Sequence, residues 1–371
     1  MLTGQLFPYH PKPLPDELLS SWLVRTALGH GQKPHAFCQS VWPGKPIWPR
    51  DIDSFGSAEL VADMALRTAT PLANAVATTL SAYEGDLVRS FFALGRTKWV
   101  LHLGIFHRKR KHGGLQYCPQ CLSSDTDPYF RRLWRVAFAV CCTRHSVILR
   151  DSCPDCGAPL ALHRGTAAYA CHECGCDLRA ATVERASLPA MELQRQCETF
   201  LSQGWASWGN ATFVRSFLFL DMLHQVMKML ATGPRSANFR NAVASHWGGD
   251  PIPPVFQNSS KEIEILDVLT RHRLLDLAAR LLDQWPTRFV KACVEARMWH
   301  SWAMRDFHDP PYEYERVVKE HLYRPSYGCS DVEVRCAERY LASSGNDVTQ
   351  RALQRLLGDS RLISKRLKRK K

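Results

Sequence analysis

Apolar residues recur every three to four positions along most of the chain, which is the spacing of an amphipathic α-helix. Near the N-terminus, Leu19 and Trp22 fall on the apolar face of a helix predicted over residues 14–28. Pro15 and Asp16 suit its first turn, and Gly29 ends it. The same spacing predicts further helices at residues 35–41, 58–68, 71–83, 191–203, 212–232, 263–282, 287–299, 314–322, 331–342 and 348–357.

The last forty residues have the pattern of a helix-turn-helix. A capping box at Asp347 and Gln350 is predicted to start the helix at 348–357, and Gly358 ends it. A third, basic helix is predicted to begin near Ser360. In such a unit the last helix lies in the major groove of DNA. The candidate DNA contacts in this segment are Arg351, Arg361, Ser364, Lys365 and Lys368.

Positive charge exceeds negative charge and is concentrated in two runs. The chain has 48 Lys and Arg residues against 35 Asp and Glu residues, a formal net charge of +13. One run lies within residues 365–371, and the other, at 107–112, adds Arg108, Lys109 and Arg110 to the candidate DNA contacts. Such runs favour nucleic acid, because each phosphate contact releases condensed counterions. A solvated tail that only aids solubility is the alternative for the final run.

The cysteines indicate metal binding. Nine of the fourteen lie between Cys118 and Cys176, mostly paired as C-x2-C, and this long chain lacks a secretory signal pattern, which argues against a disulfide framework. The spacing predicts two sets of four ligands, each able to complete a tetrahedron around zinc. Because four protein ligands leave no open position for a substrate, both zinc ions are expected to be structural. The two sets are Cys118, Cys121, Cys142 and His145, and Cys153, Cys156, Cys171 and Cys174.

Two neighbouring cysteines leave the ligand sets open. Cys141 adjoins Cys142, and Cys176 follows Cys174 by two residues, so either could substitute as a ligand. The repeated spacing favours Cys142 and Cys174. The remaining cysteines are predicted to be small core residues, and His112, His163 and His172 are predicted to be surface histidines and not ligands. These single cysteines are Cys38, Cys197, Cys293, Cys329 and Cys336.

Residues 128–138 join aromatic side chains to three arginines, Arg131, Arg132 and Arg135. This segment could be a strip that contacts phosphates. It fits ordinary packing equally well, with the aromatic rings against the metal module and the arginines reaching outward along their apolar stems.

These patterns predict a mainly α fold in four regions. Residues 1–105 form an N-terminal helical domain, whose short, closely connected helices resemble a helix-turn-helix and also fit any small helical bundle. Residues 106–182 form a tandem zinc-ribbon-like module, and residues 183–300 form a helical region with a proline-rich linker near 248–260. Residues 301–371 form a helical segment that ends in the helix-turn-helix-like unit and its basic tail.

Several classes of function lack their motifs. The sequence has no G-x4-G-K-[ST] loop, no G-x-G-x-x-G loop after a strand, no H-E-x-x-H, and no H-x-E before a P-C-x-x-C. A scattered carboxylate nuclease site stays open, but the protein is expected not to be an enzyme. No run reaches the 18 to 20 or so apolar residues of a membrane span, so a cytoplasmic protein without membrane contact is expected.

Five motifs together resemble the TniQ family, over about residues 7–180. They are LPDELLSSWLVR at 14–25, YCPQCL at 117–122, PYFRRLWR at 128–135, CTRH at 142–145 and CPDCG at 153–157. Trp285 with Pro286 and Phe289, and VTQRAL at 348–353, more weakly resemble the longer TnsD branch of this family.

The resemblance implies a target-selection protein of a bacterial transposon, acting at the nucleoid. Members of the family are not the transposase; they mark the insertion site and recruit an AAA+ ATPase regulator (TnsC- or TniB-like) that activates it. TnsD-like members bind an attachment site by sequence, whereas some short TniQ members attach to a CRISPR RNA-guided complex and often form homodimers. The zinc positions of the family coincide with the two ligand sets given above.

Two other classes of function use the same parts. A sequence-specific transcriptional regulator would also combine a helix-turn-helix with structural zinc. A nuclease would need an unrecognised carboxylate site. Neither accounts for the TniQ-like series of motifs.

Overall fold

The computed structural model describes residues 6–92, 96–106, 109–110, 112–209, 211–250, 262–307, 309–323 and 329–358. Within these ranges the chain has fifteen α-helices and three short antiparallel hairpins, which confirms the mainly α fold. It forms two compact units, residues 1–322 and residues 323–371. The finer subdivision of the first unit at residues 105, 182 and 300 stays a prediction. None of the helices described combines the length and apolar character needed to cross a membrane.

The N-terminal part of the first unit is a set of short helices. Those predicted at 35–41 and 58–68 are confirmed with small shifts at their ends, whereas the one predicted at 71–83 is split into α5 and a 3-10 turn at Leu80–Tyr83. The helices are α1 (Leu19–Gly29), α2 (Pro34–Val41), α3 (Ile52–Phe55), α4 (Ala58–Arg67) and α5 (Leu72–Val76).

Helix α1 begins five residues later than predicted, because tertiary contacts hold the preceding residues in a turn. Asp16 has a left-handed backbone with φ of 56°. Its carboxylate accepts hydrogen bonds from Arg132 Nε at 3.1 Å and from the Leu133 N–H at 3.0 Å. Glu17 is buried and accepts a hydrogen bond from the Leu14 N–H at 2.8 Å. Asp16 thus binds groups outside the helix, whereas Glu17 binds the turn amide of Leu14 and the side chains of Ser21 and Arg25 on α1.

The central part contains one short helix and two of the hairpins. Helix α6 (Pro119–Ser124) lies between the hairpin of β1 (Ile105–Phe106) with β2 (Lys109–Arg110) and the hairpin of β3 (Cys141–Cys142) with β4 (Val147–Ile148). These elements are too short to carry a sheet of their own, so the region is held by contacts to neighbouring helices.

The rest of the first unit is a layer of longer helices. Residues 212–215, predicted as the start of a helix, instead belong to strand β6 (Ala211–Arg215), which pairs with β5 (Trp205–Trp208). Neither this hairpin nor helix α9 was predicted. The helices are α7 (Leu188–Gln203), α8 (Ser216–Ala231), α9 (Ser236–Trp247), α10 (Val268–Leu282), α11 (Thr287–Glu295), α12 (His300–Ala303) and α13 (Tyr312–Leu322).

The second unit contains α14 (Asp331–Ser343) and α15 (Gln350–Leu357), which pack through a small core of Ala337, Leu341 and Leu353. The capping box predicted at Asp347 and Gln350 is wrong, because Thr349 caps α15 through its Oγ1 and the Ala352 N–H, 3.2 Å apart. A capping box does occur at the start of α14, between Ser330 and Glu333. The predicted third helix near residue 360 lies outside the described residues.

Residues 134–141, which connect the two halves of the first cysteine set, are held by buried polar side chains. Arg135 is fully buried, and its guanidinium donates to Asp51 Oδ2 at 2.5 Å, to Asp53 Oδ2 at 3.0 Å and to the Leu101 carbonyl at 2.9 Å. Asp53 in turn accepts hydrogen bonds from the backbone and hydroxyl of Ser20 on α1, at 2.8 and 2.9 Å. This network joins α1 and α3 to the metal region.

Helices α7 and α10 hold the same segment from the other side. Gln194 on α7 accepts hydrogen bonds from the N–H groups of Val140 and Cys141 at 2.8 and 2.9 Å, and donates to the Cys141 carbonyl at 2.7 Å. Arg271 on α10, also fully buried, donates to the Ala137 carbonyl at 2.8 Å and to Gln116 Oε1 at 2.9 Å. These side chains add to the few backbone pairings of the segment, which join Val136 to Val100 and Cys141 to Ile148.

The three arginines of residues 128–138 make contacts within the protein. The structure therefore favours ordinary packing over a strip that contacts phosphates. Arg131 pairs with Asp125 at 2.8 Å and lies over the rings of Tyr129 and Trp134. Arg132 pairs with Asp16 and lies over the ring of Tyr83. Arg135 points inward, contrary to the expectation that all three arginines reach outward.

We expect Arg135→Met to lower the free energy of unfolding by about 3 kcal/mol or more, because it leaves two buried carboxylates without their cation. Urea unfolding of the metal-loaded protein measures this change. The control is Arg89→Met, which removes a half-exposed ion pair to Asp309 and should cost less than about 1 kcal/mol. Equal losses in the two variants would contradict a central role for the Arg135 network.

Candidate metal centres

The first cluster is built by a helix start and a hairpin turn. Cys118 is the N-cap of α6, and its sulfur accepts the Cys121 N–H at 3.5 Å, with Pro119 in the first helical turn. Cys142 ends β3, and the turn to β4 closes with a 2.7 Å hydrogen bond from the Ser146 N–H to the Cys142 carbonyl. This turn carries His145 back toward the two α6 cysteines.

The four ligand atoms of the first cluster form a compact group. His145 Nδ1 lies 3.5 Å from Cys118 Sγ, 3.4 Å from Cys121 Sγ and 3.4 Å from Cys142 Sγ. The Sγ atoms of Cys121 and Cys142 are 3.6 Å apart. Tetrahedral bonds of 2.3 Å to sulfur and 2.0–2.1 Å to nitrogen imply edges of about 3.6–3.8 Å, close to these separations. The group therefore has the size of a single tetrahedral metal site.

The second cluster consists of two loops with the same backbone pattern. The Cys153 N–H donates to the Ala158 carbonyl, and the Cys171 N–H donates to the Cys176 carbonyl, both at 2.9 Å. A glycine follows the second cysteine of each loop: the Gly157 N–H returns to the Cys153 carbonyl, and the Gly175 N–H to the Cys171 carbonyl. Their φ angles of 71° and 76° are in the left-handed region, which explains glycine at both positions.

The four sulfurs of these two loops form a second compact group. Cys153 Sγ lies 3.6 Å from Cys174 Sγ, and Cys156 Sγ lies 3.7 Å from Cys171 Sγ. All four sulfurs lie within 4.8 Å of one another. Although burial raises the pKa of the Cys153 thiol, hydrogen bonds from the Cys156 and Asp155 N–H groups lower it, to about 7 overall. Backbone amides thus favour the thiolate, which is the form that binds a metal.

The two cysteines that left the ligand sets open face elsewhere. Cys141 Sγ is buried and donates to Gln194 Oε1 at 3.2 Å. Cys176 occupies the position in its loop that Ala158 occupies in the other loop, and its Sγ donates to the Asp177 carbonyl at 3.7 Å. The eight residues predicted from spacing are the ones that the structure brings together.

The donor sets fit structural zinc. Three thiolates with one imidazole, and four thiolates, are common structural zinc ligands, and each set is closed by four protein atoms. A metal here would tie together chain segments that are separated in the sequence, and would supply no open position for a substrate. The residues that would hold it are Cys118, Cys121, Cys142 and His145 in one site, and Cys153, Cys156, Cys171 and Cys174 in the other.

The clusters differ in burial. In the first, the three cysteines are nearly fully buried and belong to the main hydrophobic core. In the second, Cys153 and Cys171 are buried while Cys156 and Cys174 are exposed. The first metal is therefore expected to be shielded by the core, and the second to be open to chelators from one side.

Three of the eight candidate DNA contacts lie within the described residues. Arg351 is exposed on α15. Arg110 is half-buried, its Nη1 donates to the Leu160 carbonyl, and burial together with Arg135 lowers its pKa to about 10. Lys109 belongs to strand β2. The other candidates, Arg108, Arg361, Ser364, Lys365 and Lys368, lie outside the described residues.

Most of the single cysteines are core residues, as predicted: Cys38, Cys197, Cys293 and Cys329 are buried. The prediction for Cys336 is wrong, because this side chain is exposed on α14. Sequence reasoning also missed Gln194 and Arg271, which position the first cluster. Their only signal was a polar residue on the apolar face of a predicted helix, and that signal does not identify the distant partner.

We expect the purified chain to hold two zinc ions, and a chelator to remove them in two phases, the exposed second cluster first. Cys156→Ser should leave one ion and a folded core. Cys121→Ser should leave one ion but lower the thermal midpoint far more, since binding at a structural zinc site contributes of order 10 kcal/mol to folding. Elemental analysis and thermal unfolding measure both effects.

The matched control is Cys336→Ser, which changes an exposed cysteine outside both clusters and should retain two ions and the wild-type midpoint. Retention of two ions by Cys121→Ser and Cys156→Ser would rule out these ligand sets.

Comparison with known families gives one match. The TniQ family model matches residues 8–149. This range includes helices α1 to α6 and the whole first cluster, while the second cluster begins just beyond it, at Cys153. No curated protein matches the chain. Residues 8–149 therefore match the TniQ domain, whose family is associated with transposition.

Proposed function

We propose that this chain is a target-selection protein of a bacterial transposon. It binds DNA, or a targeting complex such as a CRISPR RNA-guided complex, and recruits the AAA+ ATPase regulator that activates the transposase. It performs no chemistry itself. The observation that carries the proposal is the TniQ match over residues 8–149, a range that includes the first metal cluster whole.

The arrangement of the clusters supports an adaptor. Both have four protein donors, so a bound metal would stabilise structure and leave no position for substrate. The hydrogen bonds and ion pairs around the first cluster connect it to α1, α3, α7 and α10. A rigid body of this kind can present fixed surfaces to two partners at once, which is what transfer of a target from DNA to an ATPase requires.

The basic segments support the DNA side of the proposal. Helix α15 has a capped start and exposes Arg351 and Arg355, and the segment that follows contains Lys365 and Lys368. A helix pair followed by a basic segment is the arrangement with which helix-turn-helix proteins enter the major groove. In this proposal the protein acts at the nucleoid.

We expect Lys365→Gln with Lys368→Gln to weaken binding of a 30-bp duplex. It should also reduce the slope of log K against log salt, by about 0.9 for each phosphate that is no longer neutralised. Fluorescence anisotropy at several salt concentrations measures both. The control with the same charge change is Lys45→Gln with Lys319→Gln, two exposed lysines that pair with Glu59 on α4 and Glu315 on α13. An unchanged slope in the tail variant would assign this segment to solubility alone.

We expect the zinc-loaded protein, duplex DNA and the AAA+ ATPase of the same transposon to form a ternary complex, measured by co-sedimentation. Omitting this chain should leave the ATPase without preference for the target. Selection from random duplex DNA then separates the modes of targeting: a defined enriched site means that the chain reads bases itself. Unselective, salt-sensitive binding means that a guide complex supplies the address.

Sequence-selective DNA binding without any ATPase recruitment would contradict the proposal and favour a transcriptional regulator. Metal-dependent nicking of the duplex would contradict the non-enzymatic part.

A further inference from the structure

A cavity of about 540 Å³ lies between the start of α2, residues 48–49, strand β2 and the loops of the second metal cluster. It combines residues from the N-terminal helices with residues that separate the two cysteine loops. The short 3-10 helix Leu162–Arg164, between Cys156 and Cys171, supplies His163 and Arg164 to its wall. None of the eight cluster residues lines the cavity, although His172 and Glu173, between Cys171 and Cys174, do.

The lining is strongly basic. Lys33, Arg110 and Arg164 contribute three positive charges, and Glu173 contributes one negative charge at the exposed rim. Lys33 and Arg164 are exposed, whereas Arg110 is half-buried. The pKa of His163 is lowered to about 3, first by burial and then by the positive charges of Arg110 and Arg164. A cavity with this excess of fixed cations attracts an anion.

A buried donor in the lining lacks an acceptor. Arg110 Nε is shielded from solvent and makes no hydrogen bond. A guanidinium N–H can only donate, whereas the Nδ1 atom of His172 is an acceptor, because the one N–H of this imidazole lies on Nε2, 3.3 Å from Glu173 Oε1. Because an unpaired buried donor costs about 1–3 kcal/mol, the Arg110 guanidinium calls for an acceptor oxygen.

The start of α2 adds to the same field. Lys33 is the N-cap, no side chain caps the helix, and Pro34 occupies its first turn. The N-terminal, positive end of the helix therefore lies at the cavity, where Lys33 and His35 are lining residues. Elsewhere in the lining the imidazole of His163 stacks on the indole of Trp48, with centroids 4.6 Å apart and planes 7° from parallel. This stack fixes the imidazole in place.

We propose that this cavity binds a phosphoryl group. Phosphate oxygens can accept hydrogen bonds from guanidinium, ammonium, imidazole and helix amides at once, which matches the donors and the charge of the lining. The group comes either from the phosphodiester backbone of duplex DNA or from a free nucleotide. The first source rests on the proposed DNA-binding function, and the second does not.

The test measures binding of three probes to the full zinc-loaded chain at constant ionic strength: inorganic phosphate, dAMP and a 30-bp duplex. The variant Lys33→Gln with Arg164→Gln removes two exposed cations of the cavity. We expect this variant to reduce the affinity for the probe that occupies the cavity by tenfold or more. The control Lys45→Gln with Lys319→Gln makes the same charge change at two residues that do not line the cavity, and should stay within twofold of wild type.

A second variant, Arg110→Lys, keeps the charge and removes the planar guanidinium. It should weaken the same probe by threefold or more while the thermal midpoint shows that the protein remains folded. This loss at constant charge distinguishes a shaped phosphoryl site from general attraction between a basic protein and a polyanion.

The pattern across the probes identifies the source. Loss confined to the duplex assigns the cavity to the DNA backbone, and loss of dAMP and phosphate binding assigns it to a free nucleotide. The proposal is overturned if the cavity variants bind every probe with an affinity within twofold of the control variant. It is also overturned if the wild type binds none of the probes. Wild-type duplex binding that the cavity variants leave unchanged would refute the site while sparing DNA binding. If the wild type binds the nucleotide but not the duplex, the proposed DNA binding is refuted and the phosphoryl site is kept.

Discussion

Buried polar side chains from distant parts of the chain hold residues 134–141 through hydrogen bonds and ion pairs. The elements of the first unit that supply these side chains are thereby fixed around this segment. Asp51 and Asp53 hold Arg135 from the N-terminal side, and Gln194 and Arg271 hold the backbone from the helical layer. Removing one member of such a buried set leaves the remaining charges uncompensated. The cluster ligands on either side of this segment are therefore positioned by α1, α3, α7 and α10 together.

The two candidate metal clusters differ in how they are attached to the rest of the first unit. The first lies inside the core, and its cysteines are contributed by a helix start and a hairpin. The second is built from two loops with equivalent hydrogen bonds and glycine turns, and half of its sulfurs are exposed. The first cluster joins the N-terminal helices to the longer helices. The loops of the second cluster contribute Ala158, His172 and Glu173 to the lining of the basic cavity.

Local patterns predicted a large part of this structure because the interactions involved are short in sequence. The C-x2-C spacing and the glycine that follows each pair in the second cluster specify a turn around one ion, so the ligand sets could be assigned before the fold was known. Helices such as α4 and α14 followed from apolar spacing. The hairpin of β5 and β6 was missed because the apolar residues at 213–219 also fit a helical period, and only pairing with residues 205–208 selects the strand.

The sequence by itself determined the helical class, the eight residues of the two candidate metal clusters and the excess of positive charge. Each depends on residue type and spacing along a few neighbouring turns. The tertiary structure decided that Arg135 faces inward, that Asp16 binds Arg132 before α1 begins, and that Lys33, Arg110 and Arg164 surround one cavity. These outcomes depend on burial and on partners that are distant in the sequence, and neither can be read from a local pattern.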